Sequence, residues 1–231
     1  MFVGHLAVAL IAKRMRPAIS LGWLVAAVTA LDLIWPVLLL LGWEQVRIVP
    51  GAMAFNFLVF DSYPWSHSLL MAAVWGVVLA GFARWRGYGL GDGRLLFALV
   101  LSHWVLDFLT HAPDMPLWPG ESPHVGLGLW NSAVGTLLVE GILWVTGIAL
   151  YLGPRGATSR VGPIAFWSLV LISTAMWVSS PWSPPPPSPD ALGWFALIGW
   201  ILVPWAGLAD RHYALHPAKQ QPGPSSIPAD R

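Results

Sequence analysis

The chain reads as a series of long apolar runs separated by short joints rich in Gly, Pro and polar residues. Runs of roughly 17 to 25 residues, enough to cross a bilayer as a helix, occur at Ser20 to Gly42, Trp65 to Ala83, Arg94 to Thr110, Trp130 to Leu152, Val161 to Ser179 and Ala191 to Ala209. Ahead of them, Phe2 to Ala12 covers only about half a bilayer at ~1.5 Å per residue, and it is expected as a half-inserted or re-entrant helix packed on protein. The pattern predicts an all-α, polytopic membrane helix bundle of about six spanning helices plus that short N-terminal helix. It forms one domain over residues 1–210, and residues 211–231 have the composition of a disordered tail.

Composition supports this class. Of 231 residues, 56% are hydrophobic and 10% charged, against about 25% charged in a soluble domain. Many of the 16 Trp fall near the ends of apolar runs, as at Trp43, Trp85 and Trp182, where headgroup-level aromatics are enriched. A net charge of +1 argues against a nucleic-acid surface. The absence of Cys excludes disulfides and thiolate metal sites. The opening MFVGHLAVALIAKRMR puts its basic residues after the apolar run, so it does not read as a cleavable secretory peptide. Lys13, Arg14, Arg16, Arg84, Arg86, Arg94, Arg155, Arg160, Arg211, Lys219 and Arg231 fall on one side of a six-span layout and Arg47 on the other. The positive-inside rule makes the first side, with the C-terminus, cytoplasmic. The Pro-rich SSPWSPPPPSPD then lies outside as a stiff spacer.

Ionisable side chains are costly inside a bilayer, which makes each one a functional candidate. Within or beside the apolar runs stand His5, Asp32, His67, His103, Asp107, His111 and Glu140. Counting from the basic markers at ~1.5 Å per residue, all fall between ~12 and ~26 Å deep, in one layer reaching toward the outer face. His103, Asp107 and His111 are spaced four apart in SHWVLDFLTHAPDMP, which on a helix makes one polar stripe. Imidazole and carboxylate are ligands for zinc and similar divalent ions. The metal-ligand candidates are therefore His5, Asp32, His67, His103, Asp107 and His111. Each residue taken singly also has a bland reading: His103 as a hydrogen-bond partner of Asp32, Glu140 as a packed acid, and Ser66 beside His67 as a helix N-cap.

These motifs resemble a bacterial family of membrane-bound, metal-dependent hydrolases, the YdjM-like inner-membrane proteins, whose helical core is similar to that of zinc-dependent phospholipase C. The resemblance is carried by His5 in VGHLAV, Asp32 in ALDLIWP, His67 in WSHSLLM, and His103 with Asp107 in SHWVLDFLT. It covers about residues 1–115, with no motif from Val125 onwards, where the helices read as accessory. Leu31 and Ile34 stand where the family carries Pro and a second Asp, and Tyr63, Pro64 and Trp65 replace a His-Arg-Gly turn. His111 and Asp114 are the nearest compensating groups.

The resemblance implies hydrolysis of an ester or phosphoester, lipid-borne given the depth of the site, in the bacterial inner membrane. One divalent metal, zinc, activates a water, and Asp107 or Glu140 takes its proton. A rival class uses the same residues as a proton- or ion-coupled transport path, and a third keeps them only as glue between helices. The expected partners are membrane lipid and a small or lipid substrate.

Overall fold

The computed structural model describes residues 1–216. Helix α1 (Val3–Met15) leads into α2 (Leu21–Val28) and α3 (Ala30–Leu40), and a β-hairpin, β1 (Gln45–Ile48) with β2 (Leu58–Ser62), follows. A single turn, α4 (Pro64–His67), precedes the long antiparallel pair α5 (Leu69–Trp85) and α6 (Leu90–Thr110). Two short strands, β3 (Met115–Pro116) and β4 (His124–Val125), join α6 to α7 (Ala133–Leu152). Then come β5 (Arg155–Ala157), α8 (Val161–Ser179), α9 (Pro189–Ala196), α10 (Leu202–Arg211) and β6 (Tyr213–Leu215).

The all-α membrane bundle is as expected, with fewer clean spans. Among the described residues, four helices are long and apolar enough to cross a bilayer: Leu90–Thr110, Ala133–Leu152, Val161–Trp182 and Pro189–Arg211. A fifth exists if α2 and α3, bent by 55°, count as one. The break falls at Thr29, whose hydroxyl donates to the Val25 carbonyl (2.7 Å) while its backbone leaves helical geometry. The run from Trp65 is divided because Ser68 is extended. That leaves α5 with 17 residues, ~26 Å, short of the ~30 Å hydrocarbon core.

Helix α7 shows how a bilayer inverts amphipathicity. Val134, Leu138, Ile142 and Val145 form an exposed apolar stripe, whereas Thr136, Glu140, Trp144, Gly147 and Tyr151 are buried. Against that inner face lies α1, buried along most of its length. A Cβ on Gly147 would stand 2.9 Å from the Cα and carbonyl oxygen of Ala7, so glycine is what permits the two backbones to approach this closely. The α1 helix is thus packed on protein, as expected.

At the end of the bundle bearing Lys13, a buried ion pair ties α1 to α10. Lys13 Nζ donates to Asp210 Oδ2 (2.7 Å) and to the carbonyls of Pro17 and Ile19, and Tyr151 Oη donates to Asp210 Oδ1. The chain after Asp210 is not all tail, because β6 pairs antiparallel with β5. The rest of the expected tail, 217–231, lies outside the described residues.

Candidate metal centre

Five of the six residues predicted as ligands meet in one place, from four elements. His103 and Asp107 come from successive turns of α6, His5 from α1, Asp32 from α3, and His67 from α4. Among the described residues, two sets of donor atoms lie within 4.8 Å of one another: His5, His103 and Asp107, and Asp32, His67 and His103. His103 belongs to both. Its Nδ1 is 2.6 Å from the Val28 carbonyl, which only accepts, so Nδ1 carries the proton and Nε2 faces the cluster. One imidazole nitrogen therefore serves both sets, which makes them halves of a single centre.

The spacings fit a small cation. With bonds of about 2.0–2.2 Å, tetrahedral ligand atoms stand roughly 3.3–3.6 Å apart. Here Asp32 Oδ1 is 3.5 Å from His67 Nε2 and 3.7 Å from His103 Nε2, while Asp107 Oδ2 is 3.7 Å and 2.9 Å from the same two atoms. His5 Nε2 lies 3.1 Å from Asp107 Oδ1, and the His5 and His103 rings stack at 3.8 Å. The Met1 amino group also donates to Asp107 Oδ1. Among the described residues, the buried His103 Nε2 makes no well-formed hydrogen bond, although Asp107 Oδ2 is 2.9 Å away. Such an orphaned atom beside two carboxylates is the kind of polar deficit that a bound ion removes.

Access is uneven. The side chains of His5, His67, His103 and Asp107 are at most 5% exposed, whereas that of Asp32 is 46% exposed. The cluster opens past Asp32, just beyond the break between α2 and α3.

His111 leaves the predicted stripe. Helix α6 ends at Thr110 and His111 is extended (φ −65°, ψ 151°), so the four-residue spacing no longer holds its ring above Asp107. It lies outside both donor sets. Its Nδ1 stands 3.2 Å from Tyr63 Oη and 3.1 Å from Asp114 Oδ1, and its ring is 4.3 Å from Trp130. Glu140 also stands apart from the donors. Its Oε2 accepts from the backbone N–H groups of Phe2 (2.9 Å) and Gly4 (3.1 Å), so it caps α1. The cap of α5 is Ser68, which accepts from Met71 N, and not Ser66.

Ser66 instead works with a residue that sequence reasoning passed over. Glu44, in the turn after α3, accepts from Trp65 N (2.9 Å) and Ser66 N (2.7 Å) through Oε1, and from Ser66 Oγ (2.7 Å) through Oε2. Burial pushes the Glu44 carboxyl above its ordinary pKa, opposed by the Ser66 hydrogen bonds. Its signal in the sequence is weak: a lone acid among the apolar and aromatic residues that end an apolar run.

The model of the YdjM inner membrane protein family matches residues 64–183, just over half of the chain. The chain belongs to that family. No curated protein and no solved structure matches it. The motifs that carry the resemblance fall in residues 1–115, whereas the family span takes in α7 and α8, where the sequence shows none. Within it lie His67, His103 and Asp107; His5 and Asp32 precede it.

Proposed function

We propose that this YdjM family member is a membrane-embedded, metal-dependent hydrolase that cleaves an ester or phosphoester carried by a lipid. The observation behind this reading is the convergence of the His67 and His103 Nε2 atoms on the carboxylates of Asp32 and Asp107, within 2.9–3.7 Å. Asp32, His67, His103 and Asp107 would hold one zinc or similar ion, with His5 supporting Asp107. When bound, the ion polarises the scissile group and lowers the pKa of water toward ~7. Asp107 would be the acid beside the ion that takes the proton of the attacking water. Asp32, the exposed donor, faces the side from which substrate arrives. On the positive-inside rule the end bearing Lys13 would be cytoplasmic, and substrate would approach from the outer leaflet.

One observation favours the ion-path alternative. From the His67 ring, the Tyr63 ring is 5.4 Å away, and Tyr63 Oη donates to Asp114 Oδ1 (2.6 Å) beside His111. A polar thread thus leads away from the cluster, as a proton relay needs.

Elemental analysis of the detergent-purified protein separates the two. Hydrolysis predicts about one zinc per chain, lost in a folded His103→Ala/Asp107→Ala variant. No metal after reconstitution, with pH-dependent ion flux in proteoliposomes, would overturn it.

A further inference from the structure

We propose that Glu44 is a positioning residue that sets which nitrogen of His67 faces the metal, acting through the Ser66 hydroxyl. This rests on the metal reading of the site and assigns a role to a residue outside the donor set.

The argument is proton counting. Ser66 Oγ is 2.7 Å from Glu44 Oε2 and 2.7 Å from His67 Nδ1, and the hydroxyl has one proton for the two contacts. An ionised carboxylate only accepts, so the hydroxyl donates to Glu44. The contact with His67 must then be Nδ1–H donating to Oγ. That leaves the Nε2 lone pair directed at the cluster, toward Asp32 Oδ1 and Asp107 Oδ2. The Val28 carbonyl does the same for His103 directly. Metal-ligating imidazoles commonly have the other nitrogen held by such an acceptor, which fixes tautomer and ring orientation.

Glu44 is itself fixed. It is 1% exposed, and its Oε1 takes the N–H groups of Trp65 and Ser66 at the start of α4, where Tyr63 provides no side-chain cap. The α4 turn that carries His67 is therefore anchored by the same carboxylate that orders its ring.

Glu44→Gln reverses the relay without changing its shape. The amide oxygen can keep both backbone bonds, but the NH₂ in place of Oε2 must donate to Ser66 Oγ. The hydroxyl then turns to His67 Nδ1, and the proton moves to Nε2, where it blocks ligation. The test is ¹⁵N NMR of the histidine-labelled, metal-free protein in detergent, together with zinc affinity by competition with a chelating dye. The expected result is the Nδ1–H form of His67 in the unaltered chain and the Nε2–H form in Glu44→Gln, with zinc bound roughly 10–100-fold more weakly. Glu44→Asp, still an acceptor, should retain the Nδ1–H form. If Glu44→Gln does not fold, Ser66→Ala serves, with mixed His67 tautomers expected. An unchanged His67 tautomer in the folded variant overturns the proposal. The tautomer is read without metal, so failure of the unaltered chain to bind zinc would remove the metal reading while still leaving the Glu44 relay decided.

Discussion

Asp32→Asn separates a metal ligand from a structural carboxylate more cleanly than any other change, because Asp32 does so little for the fold. Its side chain is about half exposed, and its nearest cationic candidates are the Nε2 atoms of His67 and His103 at 3.5 and 3.7 Å. A partly exposed pair of this kind contributes about 0–1 kcal/mol, so the metal-free variant should melt close to the unaltered chain. As a ligand, Asp32 matters far more. Loss of an outer-shell partner alone costs 10–100-fold in metal affinity, so loss of a charged donor should cost on the order of 100-fold, or ~2.7 kcal/mol. With zinc at ~100 times the Kd of the unaltered chain, linkage stabilises that chain by ~2.7 kcal/mol. At the same zinc concentration the variant sits near its own Kd and gains only ~0.4 kcal/mol. At roughly 2–4 °C per kcal/mol for a chain of this size, zinc should raise the melting temperature by about 5–11 °C in one case and 1–2 °C in the other. The assay is a thermal-shift series in detergent with and without zinc. Equal zinc-induced shifts in the two proteins would refute Asp32 as a ligand. A large loss of stability without metal would refute the assignment of little structural weight.

Three further outcomes follow from the same geometry. Gly147→Val should drive α1 away from α7, since even a Cβ stands 2.9 Å from the Ala7 backbone; His5 moves with it, and the check is loss of zinc affinity together with a destabilisation of about 1–3 kcal/mol. His111→Ala should retain the zinc stoichiometry of the unaltered chain by elemental analysis, because His111 lies outside both donor sets, and loss of the metal would show that the ring rotates in. Glu44 has a carboxyl pKa raised by burial, so its folded-state contribution declines as pH climbs from the unfolded value through the raised one; Glu44→Gln escapes this, and its melting temperature relative to the unaltered chain should rise with pH over that window, a flat difference refuting it.

The sequence makes the site legible where helical periodicity holds and obscures it where the backbone departs from a helix. His103 and Asp107 share a face because α6 is regular through Thr110, and a spacing of four is then sufficient. His111 continues the same spacing, but the helix stops one residue earlier, and no periodicity argument sees that. The expected six spans narrow to four or five among the described residues for the same reason. A hydropathy run does not reveal that Ser68 is extended or that Thr29 breaks α2 from α3, and both bends bring a donor, His67 or Asp32, to the α6 stripe. Glu44 escapes notice because its function depends on a return of the chain after a β-hairpin, a contact 22 residues long, with no local motif to announce it.

Helix α7 links the matched span to a candidate donor outside it. It carries no ligand, yet the matched span runs through it, whereas His5 lies on α1, ahead of that span. What α7 provides is a socket. Glu140 takes the N–H groups of Phe2 and Gly4 at the first turn of α1, and Gly147, two turns further along α7, admits Ala7 against bare backbone. These two contacts bracket His5, fixing both the depth and the rotation of the short helix that presents it to Asp107. A buried carboxylate capping a helix start and a glycine at a backbone crossing are each ordinary structural features, and neither would be singled out as part of a metal site. Together they hold one side of the cluster in place, and they give the buried Glu140 a role through Oε2 outside the donor set.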